Sequence, residues 1–137
     1  FELLAELKEK NAPIDEAMTE NNMWIFAPPD REFIANTLQK IKDSGYDIAA
    51  SETIVGVENY PPYSEGYIPP ITMTPVDYPY QKQAEIYAML LDVTLSQGAK
   101  NFGFGSASDG TGDIFDENQK PKIAYYETLR VLYGHVP

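Results

Sequence analysis

Hydrophobic residues recur along the chain with two alternating periods. Spacings of three and four, as in Ile34, Leu38 and Ile41, indicate amphipathic helices, and short extended apolar runs indicate strands. The predicted helices cover residues 1–10, 29–44, 80–97 and 121–133, and the predicted strands cover 14–20, 46–57 and 100–105. The order is therefore α-β-α-β-α-β-α, and such strict alternation predicts an α/β fold with a parallel sheet and crossover helices.

The middle strand carries the clearest functional signal. Residues 48–55 are mostly small or apolar, as expected of a strand buried on both faces, yet they include Glu52. A buried, unpaired carboxylate is costly, so Glu52 is either functional or a solvent-exposed group at the end of the strand. Ligands of parallel α/β folds bind at the carboxyl ends of strands, where this chain has residues 20–22, 52–53 and 106–109.

Three strands are too few to close a barrel, which takes eight, and an isolated three-stranded sheet would expose its edges. The sequence also begins at Phe1 inside a helical pattern, without a capping residue. We therefore expect residues 1–137 to form one partial domain, the last part of a (β/α)₈ barrel. Its open edges predict dimerisation, aggregation or complementation by another barrel segment or chain.

The composition of the chain excludes several classes of partner and of metal site. The 137 residues include 21 acidic and 10 basic side chains, a net charge of −11, which disfavours nucleic acid as a partner. There is no Cys, and the single His, His135, rules out a multi-His zinc site. No apolar run reaches the roughly 18 residues of a membrane span, so we expect no membrane partner. The acidic loop 109–113 lacks the glycine that an EF-hand requires at its sixth position, Ile114, so an EF-hand is rejected and only a weak, irregular cation site stays open. We name no metal ligand and expect no cofactor.

Several runs of residues resemble glycoside hydrolase family 10, the endo-β-1,4-xylanase family. Residues 1–15 resemble its fifth helix and sixth strand, 37–53 the run that ends in its Thr-Glu-Leu-Asp nucleophile motif, and 83–87 its seventh helix. The most specific likeness is Phe102-Gly103-Phe104, then Asp109, then 115–126, which resemble strand 8 and helix 8. The resemblance implies the C-terminal portion, about strands 6–8 with their helices, of a (β/α)₈ TIM barrel. It also implies that Glu52 is the nucleophile of a retaining glycosidase.

The chain departs from the family pattern in ways that weaken a standard xylan cleft. The family's acid/base Glu lies on strand 4, which this chain does not contain. Glu20 and Asn22 stand where the family usually has Gln and His, and Gly105 stands where strand 8 carries a sugar-stacking Trp. A second Trp of the family is replaced near Asp113. These departures indicate a divergent member, a different glycan or a lost activity.

Four further residues are candidates for substrate binding. Glu20 either pairs with Glu52 as an acid or hydrogen-bonds sugar, and we favour the second. Asn22 either contacts a sugar hydroxyl or belongs to a turn. Trp24, expected just after the strand, is either a sugar platform or partly buried core. Asp109 aligns with an Asp of the family's strand-8 loop, where it is a supporting or structural group.

The tyrosines of the long loop around residues 58–79 are more often packing than sugar contacts. They are Tyr60, Tyr63, Tyr67, Tyr78 and Tyr80.

Two functions follow from these residues. The first is a retaining endo-β-1,4-glycanase, xylanase-like and secreted, that acts on a plant-type polysaccharide or its oligosaccharides, with its acid/base supplied by an N-terminal barrel half. This chain alone is then incomplete and inactive. The second is a non-catalytic glycan-binding or structural protein on a divergent glycosidase barrel.

Overall fold

A computed structural model describes residues 1–25, 27–57, 78–105 and 113–135, with Tyr78 described by its backbone alone. The predicted alternation of helices and strands is confirmed. In chain order the elements are α1 (Glu2–Glu9), β1 (Glu16–Trp24), α2 (Arg31–Asp43), β2 (Asp47–Gly56), α3 (Tyr78–Ser96), β3 (Asn101–Phe104) and α4 (Ile123–His135).

Local chemistry sets most of the helix boundaries. The Asp30 side chain caps α2 by accepting a hydrogen bond from the Glu32 amide at 2.9 Å. Gly45 and Gly98, with φ of +83° and +89°, follow α2 and α3 in the left-handed conformation that ends helices. The predicted end of α4 at Gly134 is wrong, because Gly134 stays outside that conformation and the helix runs on to His135.

The three strands form one parallel sheet in the order β1-β2-β3, as the alternation predicted. Strand β1 is longer than expected and includes both Asn21 and Asn22. Asn22 pairs with Ile54, and Trp24 pairs with Gly56. The turn interpretation of Asn22 is therefore wrong, and Trp24 is the last residue of the strand instead of following it.

One face of the sheet packs on helices. The apolar stripe of α2 is buried as predicted, with Leu38 fully inaccessible. Helix α3 packs against α2, α4 and β2, which explains why it buries residues on several of its sides, including Leu90 and Val93. The main hydrophobic cluster therefore lies between the sheet and these helices.

The opposite face of the sheet is largely open in the part of the chain that the structure describes. Along β1, residues alternate between the two faces. Met18, Glu20, Asn22 and Trp24 are exposed, whereas Asn21 and Ile25 are buried. The exposed positions form a row along the strand, and they pair with Ala49, Ser51, Ile54 and Gly56 of β2.

Candidate active site

Glu52 occupies an extra position in β2. Opposite β1, the register passes from Glu20–Ser51 to Asn22–Ile54, so two residues of β2 face one residue of β1. Opposite β3, it passes from Ala50–Phe102 to Thr53–Phe104, again with one residue too many in β2. Glu52 lies in both gaps and has a φ of +43°, the left-handed region that side chains with a Cβ rarely adopt. The bulge turns an exposed carboxylate out of a largely buried strand.

The backbone beyond the bulge is held from behind by α3. The Tyr87 hydroxyl donates to the Thr53 carbonyl and accepts from the Val55 amide, both at 3.2 Å. Gln83 donates its amide to the Val55 carbonyl at 2.8 Å. Both side chains are fully buried, so these hydrogen bonds form away from solvent. The strand end that carries Glu52 is therefore fixed by the helix packed on it.

A small polar layer lies under the site between β1 and β2. The buried Asn21 donates to the Thr53 hydroxyl at 3.3 Å and to the Thr19 hydroxyl at 3.5 Å. Thr53 is itself fully buried. These hydrogen bonds give the buried amide of Asn21 and the buried hydroxyl of Thr53 a partner, and they tie the two strands at the level of Glu52.

Glu20 and Asn22 form a pair on the exposed face. The Asn22 amide nitrogen donates to a carboxylate oxygen of Glu20 at 2.5 Å. Because parallel pairing puts Glu20 opposite Ser51, the pair lies beside the strand segment that carries Glu52. The contact holds the Asn22 side chain in one orientation and leaves its carbonyl oxygen as an acceptor.

Two glycines on this face lie under larger side chains. A Cβ added to Gly56 would lie 2.6 Å from two carbon atoms of the Trp24 ring, and one added to Gly105 would lie 2.1 Å from Cγ1 of Ile54. Each glycine therefore allows a neighbour to lie directly on its backbone. At Gly105 the space is taken by Ile54, which excludes any larger side chain there.

Comparisons with solved structures match the fold of this chain to part of several xylanases. Xylanase 10B from Thermotoga petrophila, solved with xylobiose, superposes with a TM-score of 0.77 and 26% identity over 97% of this chain. Xylanase B from Clostridium stercorarium superposes with a TM-score of 0.71 and 25% identity over 93% of this chain. A mutant of xylanase 10C from Cellvibrio japonicus, solved with xylopentaose, gives a TM-score of 0.77 at 16% identity over 97%.

This chain has the fold of the C-terminal part of a glycoside hydrolase family 10 barrel. The resemblance stated from the motifs is confirmed at the level of fold. The chain spans 40% of the length of each of the first two xylanases above and 30% of the third, so the structure is a partial barrel. No family model and no curated protein sequence matches the chain.

In this partial barrel, four of the five predicted site residues lie on the described strands. Glu52 is on β2, and Glu20, Asn22 and Trp24 follow one another along the exposed face of β1. Asp109 lies outside the described residues, as do three of the loop tyrosines and the side chain of Tyr78. Tyr80, which is described, has Lys122 over its ring at 5.8 Å and lines a cavity of about 420 Å³ with Pro121 and Asp116.

A shallow depression of about 470 Å³ lies on the open face of the partial barrel and includes Met18, Ser51, Glu52 and Gly103. In a closed barrel this face would point inward. A cavity of about 510 Å³ lies elsewhere, among residues of α2, α3 and α4, and contains none of the candidate site residues. Within the described ranges, no cluster of three metal-ligating side chains occurs and no helix is long and apolar enough to cross a membrane.

The sequence did not identify the residues that support Glu52. The resemblance of residues 83–87 to a family helix carried no sign that Gln83 and Tyr87 bind the backbone of β2. The buried position of Asn21 between two strands was not predicted either. The available signal was the presence of polar side chains on the apolar face of α3, since buried polar groups require partners.

Proposed function

We propose that this chain is the C-terminal part of a retaining endo-β-1,4-glycanase that cleaves internal bonds of a xylan-type plant polysaccharide, with Glu52 as nucleophile. The observation that carries the proposal is the position of Glu52 on a bulge with left-handed backbone, exposed on the open face and held from behind by Tyr87. Strained residues that the surrounding structure holds in place are typical of functional sites. The similarity to xylanases solved with xylobiose and xylopentaose supports the choice of glycan.

The chemistry assigned to Glu52 is attack on the anomeric carbon. A carboxylate oxygen forms a glycosyl ester with that carbon while the bond to the leaving oxygen breaks, and a second carboxyl gives its proton to that oxygen. The second group then deprotonates a water molecule, which attacks the anomeric carbon and releases Glu52. The sugar product keeps its original anomeric configuration. A rigid strand end suits this role, since the attacking oxygen must be held within a fraction of an ångström.

The acid/base partner comes from residues outside this sequence. Retaining enzymes place the two carboxyls about 5–5.5 Å apart. Glu20 lies on the neighbouring strand, but its carboxylate accepts a hydrogen bond from the Asn22 amide. This contact suits a residue that orients Asn22 toward sugar hydroxyls better than it suits a proton donor. Residues 1–137 then form one partial domain of a secreted enzyme, completed by an N-terminal barrel segment or chain.

The test is the turnover of a Glu52→Gln variant in the polypeptide preparation that contains the whole barrel. We expect Glu52→Gln to abolish release of reducing ends from xylan, because an amide cannot form the glycosyl ester. Glu9→Gln, at an exposed position of α1, is the matched control and should retain normal turnover. Ordinary activity of Glu52→Gln would overturn the assignment.

A non-catalytic glycan-binding protein is the second candidate. The hydrogen bond between Asn22 and Glu20 favours it, because it occupies the carboxylate of Glu20. The exposed face of β1 then carries groups that can bind sugar, but no described residue acts as the acid partner of Glu52. This candidate predicts measurable affinity for xylo-oligosaccharides and no hydrolysis in a sample containing the whole barrel. Release of reducing ends that depends on Glu52 would exclude it.

A further inference from the structure

We infer that Trp24, seated on Gly56, forms a sugar-stacking subsite for a neutral β-linked glycan, beyond the position of the catalytic carboxylate. The inference rests on the proposed function for the class of ligand. Beyond the proposed function, it assigns a sugar-binding role to the last residue of β1 and specifies that the bound sugar is uncharged.

Gly56 provides the seat for the indole. The two residues are partners in the β1–β2 register, and a Cβ at Gly56 would approach Cε3 and Cζ3 of Trp24 to 2.6 Å. Real Cβ contacts are not this short, so the benzo ring can lie where it does only because residue 56 has no side chain. The indole rests on the strand and leaves 39% of the residue exposed.

The orientation of Trp24 separates it from the core. Its neighbour Ile25 is 3% exposed and belongs to the cluster between the sheet and the helices. Trp24 instead belongs to the exposed row with Glu20 and Asn22. A large aromatic side chain on the open face of a site is a typical ligand contact, because it offers apolar area with little conformational entropy to lose.

The spacing of the row fits an extended ligand. Trp24 follows Glu20 by four residues, about 13 Å along the strand. Within this distance the row offers a carboxylate, an amide and an aromatic ring, which suit the hydroxyls and the apolar C–H face of successive pyranose rings. A compact ligand would not span these groups, whereas an oligosaccharide chain of several rings would.

The acidic side chains near Trp24 determine which glycans the subsite can bind. The carboxylates of Glu20 and Glu52 lie on the same face, and the chain carries a net charge of −11. No Lys or Arg occurs among residues 16–25 or 47–57, the stretches that form the subsite and the bulge. Among the described residues that line the depression with Glu52, the one cation is Lys100, and its ammonium lies 3.9 Å from the carboxylate of Asp47 at the opposite end of β2. A sugar acid bound next to Trp24 would therefore meet the charges of Glu20 and Glu52 without a described cation beside it. The subsite is therefore expected to bind neutral xylo-oligosaccharides and to reject polyuronides.

Calorimetric titration of the polypeptide that contains the whole barrel tests the inference, with Glu52→Gln present to prevent turnover. Trp24→Ala should weaken xylohexaose binding about tenfold, which corresponds to about 1.4 kcal/mol. Trp24→Phe should recover part of the loss because it keeps an aromatic ring.

Gly56→Ala displaces the indole and should also weaken xylohexaose binding, whereas Gly134→Ala should not. The Gly134 variant is the matched control, since a Cβ there meets nothing within 4 Å. Oligogalacturonate should show no binding. Wild-type xylohexaose affinity in Trp24→Ala, or equal losses for Trp24→Phe and Trp24→Ala in variants that melt like the parent, would overturn the subsite.

The subsite and the proposed function fail separately. If Trp24→Ala loses affinity while Glu52→Gln keeps full turnover in the hydrolysis assay, the subsite stands and the nucleophile assignment fails. If Glu52→Gln is inactive while Trp24→Ala binds normally, the nucleophile stands and the subsite fails.

Discussion

At Glu52 the backbone adopts a φ of +43° although the residue has a Cβ. Such conformations cost on the order of 1–3 kcal/mol and persist only where the surrounding structure enforces them. The carboxylate is exposed, and no other described side chain forms a hydrogen bond or ion pair with it. Within the described part of the chain, no contact of the Glu52 side chain offsets the strain, which is the pattern expected of a residue kept for activity.

The strain can be measured directly. Replacing Glu52 by Gly should raise the free energy of unfolding by up to about 1 kcal/mol relative to Glu52→Ala, because Gly adopts positive φ without steric cost. Urea unfolding of the two variants in the same barrel preparation measures the difference. A Gly variant less stable than the Ala variant would show that the left-handed backbone is not a source of strain.

The sequence identified the acidic residue at the strand end, because Glu stands out among the small and apolar residues of 48–55. It did not indicate the bulge. A bulge shifts the strand pairing by one residue, which the sequence can reveal only where polar and apolar residues alternate. The short apolar run around Glu52 has no such alternation. Asn22 was ambiguous for a similar reason, since Asn is common in turns and its strand position depends on pairing with Ile54.

Among the elements, α3 and β2 form the pair that determines the site. Helical periodicity predicted α3 itself, but periodicity carries no information about the hydrogen-bond partners of a hydroxyl such as that of Tyr87. The Tyr87 hydroxyl bonds both sides of residue 54, at the Thr53 carbonyl and the Val55 amide. The helix therefore fixes the backbone next to the bulge as well as covering the sheet.

Tyr87→Phe removes that hydroxyl and keeps the ring. We expect the free energy of unfolding to fall by about 1–3 kcal/mol, because two buried backbone groups each lose a partner. Tyr133→Phe, at a residue that is 75% exposed on α4, is the control and should change stability by less than about 0.5 kcal/mol. Equal stability of the two variants in thermal unfolding would contradict the role given to Tyr87.

On the scale of the whole molecule, Asp92 joins three helices. From α3, its carboxylate contacts Arg31 of α2 and lies 2.9 Å from Nε2 of His135 at the end of α4. The hydrogen bond with His135, and then the one from Arg31, hold the pKa of Asp92 below its ordinary value of 3.8. The single His of the sequence thus helps to hold the last helix in place.

This linkage has a defined pH dependence. A carboxyl whose folded-state pKa is depressed contributes stability above its unfolded pKa, and the contribution disappears as the pH falls through the folded-state value. Asp92→Asn should therefore lower the free energy of unfolding at neutral pH by less than about 1 kcal/mol, since the pair is exposed. The difference from wild type should shrink as the pH falls below about 4 and disappear below the folded-state pKa of Asp92. Asp15→Asn, at an exposed position before β1, is the control. A difference that persists unchanged at acid pH would contradict the account.

Alternation of elements predicted the parallel sheet and its order, because crossover helices leave few other arrangements. The interpretation as a partial barrel came from the count of strands and the family motifs, and the described structure agrees with xylanase barrels over 40% of their length. The positions of Asp109 and most loop tyrosines stay predictions, since they lie outside the described residues.

The central claim is that Glu52 forms a covalent bond to sugar. The most direct measurement incubates the polypeptide preparation containing the whole barrel with a 2-fluoro xylobioside that carries a leaving group needing no protonation, followed by mass spectrometry of the peptides. The account predicts one glycosyl adduct, on Glu52, and none in Glu52→Gln. An adduct on another carboxylate, or xylan hydrolysis without any adduct on Glu52, would contradict it.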